Sequence, residues 1–167
     1  YVKPPTMKAM DRPYKLISME DIRFKLCNIK TLSLIPSVLA SQRAVERGCD
    51  EAVLHRGSRV TECAHSNISI LKDGVLQTAP TDELILPGIT RKHLLALAKE
   101  HGITVLEKPF SMVEIMNADE VIVTSSSAMC MKAESIDVIP VGGKDPQRLK
   151  MLQDAYLAKF QRETQPK

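Results

Sequence analysis

Lys30 lies in the run Cys27-Asn28-Ile29-Lys30-Thr31-Leu32, with apolar neighbours on both sides. A lysine placed so can be partly desolvated, and a desolvated amine is a usable nucleophile toward a carbonyl. An ordinary lysine, with its stem packed and its head in water, is the commoner case. Glu62 closes Val60-Thr61-Glu62, just ahead of Cys63-Ala64-His65-Ser66. A carboxylate at a strand end can hold a protonated ring nitrogen, although most loop acids are simply solvated. Gly88-Ile89-Thr90 opens an apolar-periodic stretch. The free N–H groups and dipole of a helix start there favour a phosphate, and Thr90 adds a hydroxyl. Ser125-Ser126-Ser127 follows an apolar strand and offers a second phosphate cradle, or merely a polar loop. Gly142-Gly143-Lys144 lacks the spacing and trailing hydroxyl of a P-loop and reads as a turn. Cys63 and His65 have no third ligand nearby, so no metal is expected. An amine, a carboxylate and two hydroxyl-rich anion sites, in that order, are the equipment for pyridoxal phosphate.

The elements that must position these groups alternate in type. Arg23 to Leu26 looks extended. Thr31 is a candidate N-cap for a helix in which Leu34, Ile35, Val38, Leu39 and Val45 follow helical spacing up to Gly48. Two hairpins follow, 51–55 with 59–62 around Gly57-Ser58, and 67–72 with 75–78 around Asp73-Gly74. A second helix runs from Thr90 through Leu94, Leu95 and Ala98 to the stop at His101-Gly102. Strands are expected at 103–108, 120–124 and 136–140, a short helix at 112–117, and a final helix capped by Asp145 with Leu149, Leu152, Tyr156 and Phe160 on one face. Hairpins together with crossovers imply a mixed α/β (α+β) domain rather than a doubly wound parallel sheet.

Composition agrees. The chain has 167 residues, with 44% hydrophobic and 26% charged. That is one globular domain, too apolar for disorder. Lys plus Arg number 23 against 20 acids, a net charge of +3, which is no footprint for nucleic acid. No apolar run approaches a membrane span, and no secretory signal is visible. The four scattered cysteines suggest reduced thiols, hence a cytoplasmic protein. Tyr1 to Pro13 holds three prolines and no apolar periodicity, so residues 1–13 read as a linker ahead of a domain at 14–167.

In sequence the chain resembles the C-terminal, cofactor-binding part of the fold-type IV pyridoxal-phosphate enzymes. The carrying segments are Cys-Asn-Ile-Lys-Thr-Leu-Ser-Leu at 27–34, Gly-Cys-Asp-Glu-Ala-Val-Leu at 48–54, Val-Thr-Glu at 60–62 and Ser-Asn-Ile at 66–68. Lys-Asp-Gly-Val-Leu at 72–76, Leu-Pro-Gly-Ile-Thr-Arg at 86–91 and Ala-Asp-Glu-Val at 118–121 continue the match. The Ile-Lys-Thr-Leu and Gly-Ile-Thr-Arg forms are most similar to D-amino acid aminotransferases. Branched-chain aminotransferases, aminodeoxychorismate lyases and a non-catalytic domain of the same fold are the alternatives.

The resemblance implies a pseudo-barrel domain binding pyridoxal 5′-phosphate. It implies that Lys30 binds the cofactor covalently and carries the α-proton. Glu62 holds the pyridine N–H, Leu86 packs on the ring, and Ile89, Thr90 and Ser126 hold the phosphate. It implies transamination between an amino acid, of the D-alanine type, and a 2-oxo acid, in a homodimer. It also implies an N-terminal domain before this one, so the chain reads as a fragment of a longer enzyme, weak or inactive alone. Two departures stand out: His65 where relatives carry a small residue, and the stretch 128–132.

Overall fold

The computed structural model describes residues 10–164, and among these nine strands form one mixed sheet. In chain order the elements are β1 (Tyr14–Glu20), α1 (Ile35–Glu46), β2 (Glu51–Arg56), β3 (Arg59–Cys63), β4 (Asn67–Lys72) and β5 (Val75–Thr78). They continue with α2 (Ile89–Glu100), β6 (Thr104–Glu107), α3 (Met112–Met116), β7 (Glu120–Ser125), β8 (Met129–Ile136), β9 (Ile139–Pro140) and α4 (Pro146–Thr164). The spatial order is β3-β2-β1-β8-β7-β4-β5-β6, with β9 on β8. β1 runs parallel to β2 and β8, and β5 parallel to β6; the remaining pairs are antiparallel.

Local chemistry explains the turns. Asp73 and Gly74 both have positive φ, 49° and 78°, the conformation whose twist suits a two-residue hairpin. Ser111 and Glu114 make a reciprocal capping box that starts the short α3. Asp145 Oδ1 accepts from the Arg148 N–H, 3.2 Å away, at the start of α4. Along α4, Leu149, Leu152 and Tyr156 are buried as their spacing requires.

Four expectations change. Tyr14–Glu20 is a strand, where the sequence reading placed only a linker end and an extended piece at 23–26. Leu16 enters the main core and Ile17 a second cluster, so β1 is buried on both faces and shows no clean alternation. The chain at 23–26 forms no strand. The late strand expected over 136–140 is broken, because Asp137 and Val138 adopt φ 49° and 63° and fold β9 back on β8; valine gives no turn signal in a sequence. The first helix starts at Ile35 without a side-chain cap and not at Thr31. It buries Ala40 and Ala44 against Ile17, Ala52, Leu54 and Ala64, while Leu34, Ile35, Val38, Leu39 and Val45 stay exposed. Small residues let this helix approach the sheet closely, so the large apolar positions are displaced outward.

Of the segment 1–13 read as a linker, residues 1–9 lie outside the described residues. Met10 is buried in the main core, and Arg12 pairs with Asp50.

Candidate cofactor site

The site forms where the end of β3, the start of β4, the end of β7 and the start of α2 meet. Glu62 is the next-to-last residue of β3, and Asn67 opens β4 after a three-residue turn closed by Cys63 N–H to Ser66 O at 2.8 Å. The register Asn67↔Thr124 brings the end of β7, with Ser125 and Ser126 following, beside Asn67. The link from β5 to α2 carries Leu86 past Glu62 to the helix start at Ile89.

Glu62 is buried and held on both oxygens. Arg23 donates to Oε1. Oε2 accepts from Asn67 Nδ2 at 2.9 Å and from the Leu86 N–H at 3.1 Å. Arg23 is locked in turn: its Nε lies 2.9 Å from Asp21 Oδ1, its Nη2 2.9 Å from Asp21 Oδ2, and Nη2 also donates to Leu84 O at 3.1 Å. Arg56 Nε and the Thr61 hydroxyl complete Asp21 at 3.2 and 3.0 Å. Burial pushes the Glu62 carboxyl up to about 7, against the pull of Arg23 and the Leu86 N–H. For Asp21 burial acts the same way, but the Arg23 hydrogen bonds and charge outweigh it and hold the carboxyl below its ordinary value. Glu62 is thus a carboxylate poised to gain from one more positive partner.

The helix start is shaped for an anion. α2 begins at Gly88 with no side-chain cap and no acid in its first turn, leaving N–H groups that no side chain satisfies. Thr90 is buried in that turn, and Ile89 is exposed. Gly88 is the only residue type with room here, since an added Cβ would stand 2.0 Å from Asn67 Oδ1. Asn67, Ser69 and Thr124 share one sheet face by strand register, and the buried hydroxyls of Ser69 and Thr124 have no hydrogen-bond partner among the described residues. The donor set fits a phosphorylated ring: bare helix amides and hydroxyls for the phosphate, a buried acid for a ring nitrogen, and Leu86 beside that acid.

The structure therefore brings Glu62, Leu86, Ile89 and Thr90 together, and carries Ser126 to their edge in the exposed turn after β7. It does not bury Lys30. That lysine is exposed in the irregular loop between β1 and α1, which is the ordinary, solvated case and not the desolvated one. The loop is pinned to the site upstream by Arg23 and by Cys27 N–H to Glu83 O at 2.7 Å. Sequence reasoning missed Arg23, Asp21 and the structural role of Asn67. The Asp21-Ile22-Arg23 pair was legible as charge, but its target forty positions on was not.

A buried acid beside an uncapped helix start fits a phosphorylated ring cofactor, and comparison with known proteins gives the family. The family model for amino-transferase class IV matches residues 3–136. The D-alanine aminotransferase of Listeria monocytogenes serotype 4b (strain F2365) is 46% identical over 126 residues, covering 75% of this chain and 44% of that protein. The D-alanine aminotransferase of Staphylococcus haemolyticus is 40% identical over 166 residues, 93% of this chain and 59% of that one. Among solved structures, Escherichia coli branched-chain amino acid aminotransferase superposes with a TM-score of 0.80 at 29% identity, over 93% of this chain and 55% of that one. The branched-chain aminotransferase of the thermophilic archaeon Thermoproteus uzoniensis, solved with norvaline, superposes with a TM-score of 0.73 at 26% identity, over 86% and 50%. The chain belongs to amino-transferase class IV, an enzyme family that uses pyridoxal 5′-phosphate, and has its mixed, curled-sheet fold. It spans about half the length of the curated relatives it matches.

Proposed function

We propose that residues 14–167 are the cofactor-binding domain of a longer, homodimeric, cytoplasmic class IV aminotransferase acting on a D-alanine-type amino acid and a 2-oxo acid. The observation that carries this reading is Glu62, buried and fixed by Arg23, Asn67 and the Leu86 N–H, with Leu86 two residues before the bare helix start at Gly88. The names of the relatives at 40–46% identity support the D-alanine substrate. The branched-chain solved structures favour a second reading, a branched-chain amino acid substrate. Four free cysteines suit a reducing compartment, and no described helix is long and apolar enough to cross a membrane.

Bound pyridoxal phosphate supplies an electron-accepting ring through which an amino group passes between the two substrates. Glu62 keeps a proton on the ring nitrogen, and Arg23 and Asp21 hold Glu62 in place. The α2 amides, Thr90 and Ser126 would hold the phosphate, and Leu86 would pack on the ring. Lys30 anchors the cofactor and moves the α-proton, as base and then acid. Lys30 stands in an exposed loop whose upstream end is tied to Glu62 through Arg23.

Borohydride treatment of the chain mixed with pyridoxal phosphate should leave a phosphopyridoxyl group on the Lys30 peptide, lost in Lys30→Ala. Modification spread over surface lysines, unchanged by Lys30→Ala, overturns the assignment. A single-turnover comparison of D-alanine with L-leucine on the loaded protein separates the two substrate readings.

A further inference from the structure

Outside the cofactor site, three elements converge on a chain of hydrogen bonds. Ser41 on α1, His65 in the turn between β3 and β4, and Glu51 at the start of β2 are joined in that order. Ser41 Oγ lies 3.2 Å from His65 Nδ1, and His65 Nε2 lies 3.0 Å from Glu51 Oε2. The Glu51 side chain is completely buried. It is aligned independently of the imidazole: Oε1 accepts from the Ala52 N–H at 3.0 Å and Oε2 from Ser66 Oγ at 2.9 Å.

The reactive arrangement is the one with Glu51 ionised and the imidazole neutral: a carboxylate only accepts, so the ring proton lies on Nε2 and is donated to Glu51. Nδ1 is then a lone pair, to which Ser41 donates its hydroxyl proton. Burial works to raise the Glu51 carboxyl; the imidazole, when protonated, and the two fixed donors oppose that rise. The result is a nucleophile, a base and an orienting acid, the arrangement that activates a serine wherever it occurs. We propose that Ser41 is such an activated hydroxyl, a second reactive centre that takes an acyl group from small activated carboxylic esters.

Two features define the substrate and the outcome. The cleft of about 900 Å³ between α2 and α4 and that of about 140 Å³ beside α1 include neither Ser41 nor His65 in their linings. The imidazole side chain is 58% exposed, so the acyl donor is met from solvent. Ser41 stands inside α1, where neighbouring backbone N–H groups are committed to the helix, so no oxyanion hole is formed. Acylation is expected to be stoichiometric, with slow release. In the step, the Ser41 Oγ–carbonyl carbon bond forms as the serine proton moves to His65 Nδ1. The bond to the leaving phenolate then breaks, and the imidazolium returns its proton to solvent.

p-Nitrophenyl acetate is the probe. Without any pyridoxal phosphate, the chain should release a burst of one equivalent of p-nitrophenolate and carry one acetyl group on the peptide containing Ser41. Ser41→Ala, which suits a helix and keeps the fold by circular dichroism, should abolish both. His65→Gln should slow labelling of Ser41 about 100-fold or more, and Glu51→Gln by up to about 10⁴-fold. An unlabelled Ser41 peptide, or a burst that survives Ser41→Ala, overturns the proposal. Neither result bears on Lys30 or Glu62.

Discussion

Glu62 has the most to lose and gain with pH. Its folded value of about 7 lies above the ordinary carboxyl value of 4.5. Below the ordinary value the group is protonated whether the chain is folded or not. Between that value and about 7 the unfolded chain releases a proton that the folded one keeps, so Glu62 opposes folding increasingly as pH rises. The cofactor-free chain should therefore melt lower at about pH 7.5 than at about pH 5.5 by a margin that Glu62→Gln removes; an equal margin in the variant assigns the effect elsewhere. A protonated ring nitrogen reverses the sign by stabilising the charged form, so cofactor affinity should weaken as pH falls below about 7, measured by fluorescence titration. At this scale the sequence was informative for which residues share one place, since Glu62 and Leu86 are hydrogen-bonded and Ile89 and Thr90 open the helix that follows. It was silent on Arg23 and Asp21, whose importance comes from a contact across the fold. For Lys30 the spacing favoured an ordinary solvated lysine, and the side chain is exposed.

The helix start at Gly88 and the strand start at Asn67 work as one device. A side chain at position 88 would occupy the space of Asn67 Oδ1, and Asn67 Nδ2 is what holds Glu62 and Leu86 O, at 2.9 and 2.8 Å. Gly88→Ala should thus disturb both the phosphate end and the ring-nitrogen end of the site. We expect a stability loss of about 1–3 kcal/mol by thermal denaturation, and a fall in cofactor affinity of at least about tenfold. Asn67→Ala in the same chain should recover part of the stability but not the affinity. If the single variant binds as tightly as the parent, the coupling is wrong. Elements with local signatures were legible in the sequence: the Asp73-Gly74 hairpin, the stop at His101-Gly102, the Asp145 cap. β1 and β8 were not, because strands covered on both faces lose the alternation that marks a strand, and α1 was misread because alanines, not its larger residues, face the sheet.

At the scale of the molecule, the loop from Ile22 to Leu34 and the outer face of α1 expose Phe24, Leu32 at 95%, Ile35 and Val38 in one stretch. Exposed apolar surface of this kind is what a protein–protein contact buries. Lys30 sits in its middle, so covering it would also cover the lysine. The chain should self-associate with rising concentration in sedimentation velocity, and Leu32→Asp with Ile35→Asp should prevent this; a chain that stays monomeric throughout removes the argument for a homodimer. The topology carries a consequence of another kind. β1 is the first strand among the described residues, yet it lies inside the sheet, between β2 and β8, and its β8 partners come about 120 positions later. A ribosome must therefore deliver almost the whole domain before the sheet can close. Until then β1–β2–β3 and the β4–β5 hairpin exist as separate pieces, each with an open edge where β8 or β7 belongs. Closure is a long-range, late and slow event, and the period before it is when this chain is most exposed to pairing with the wrong strand.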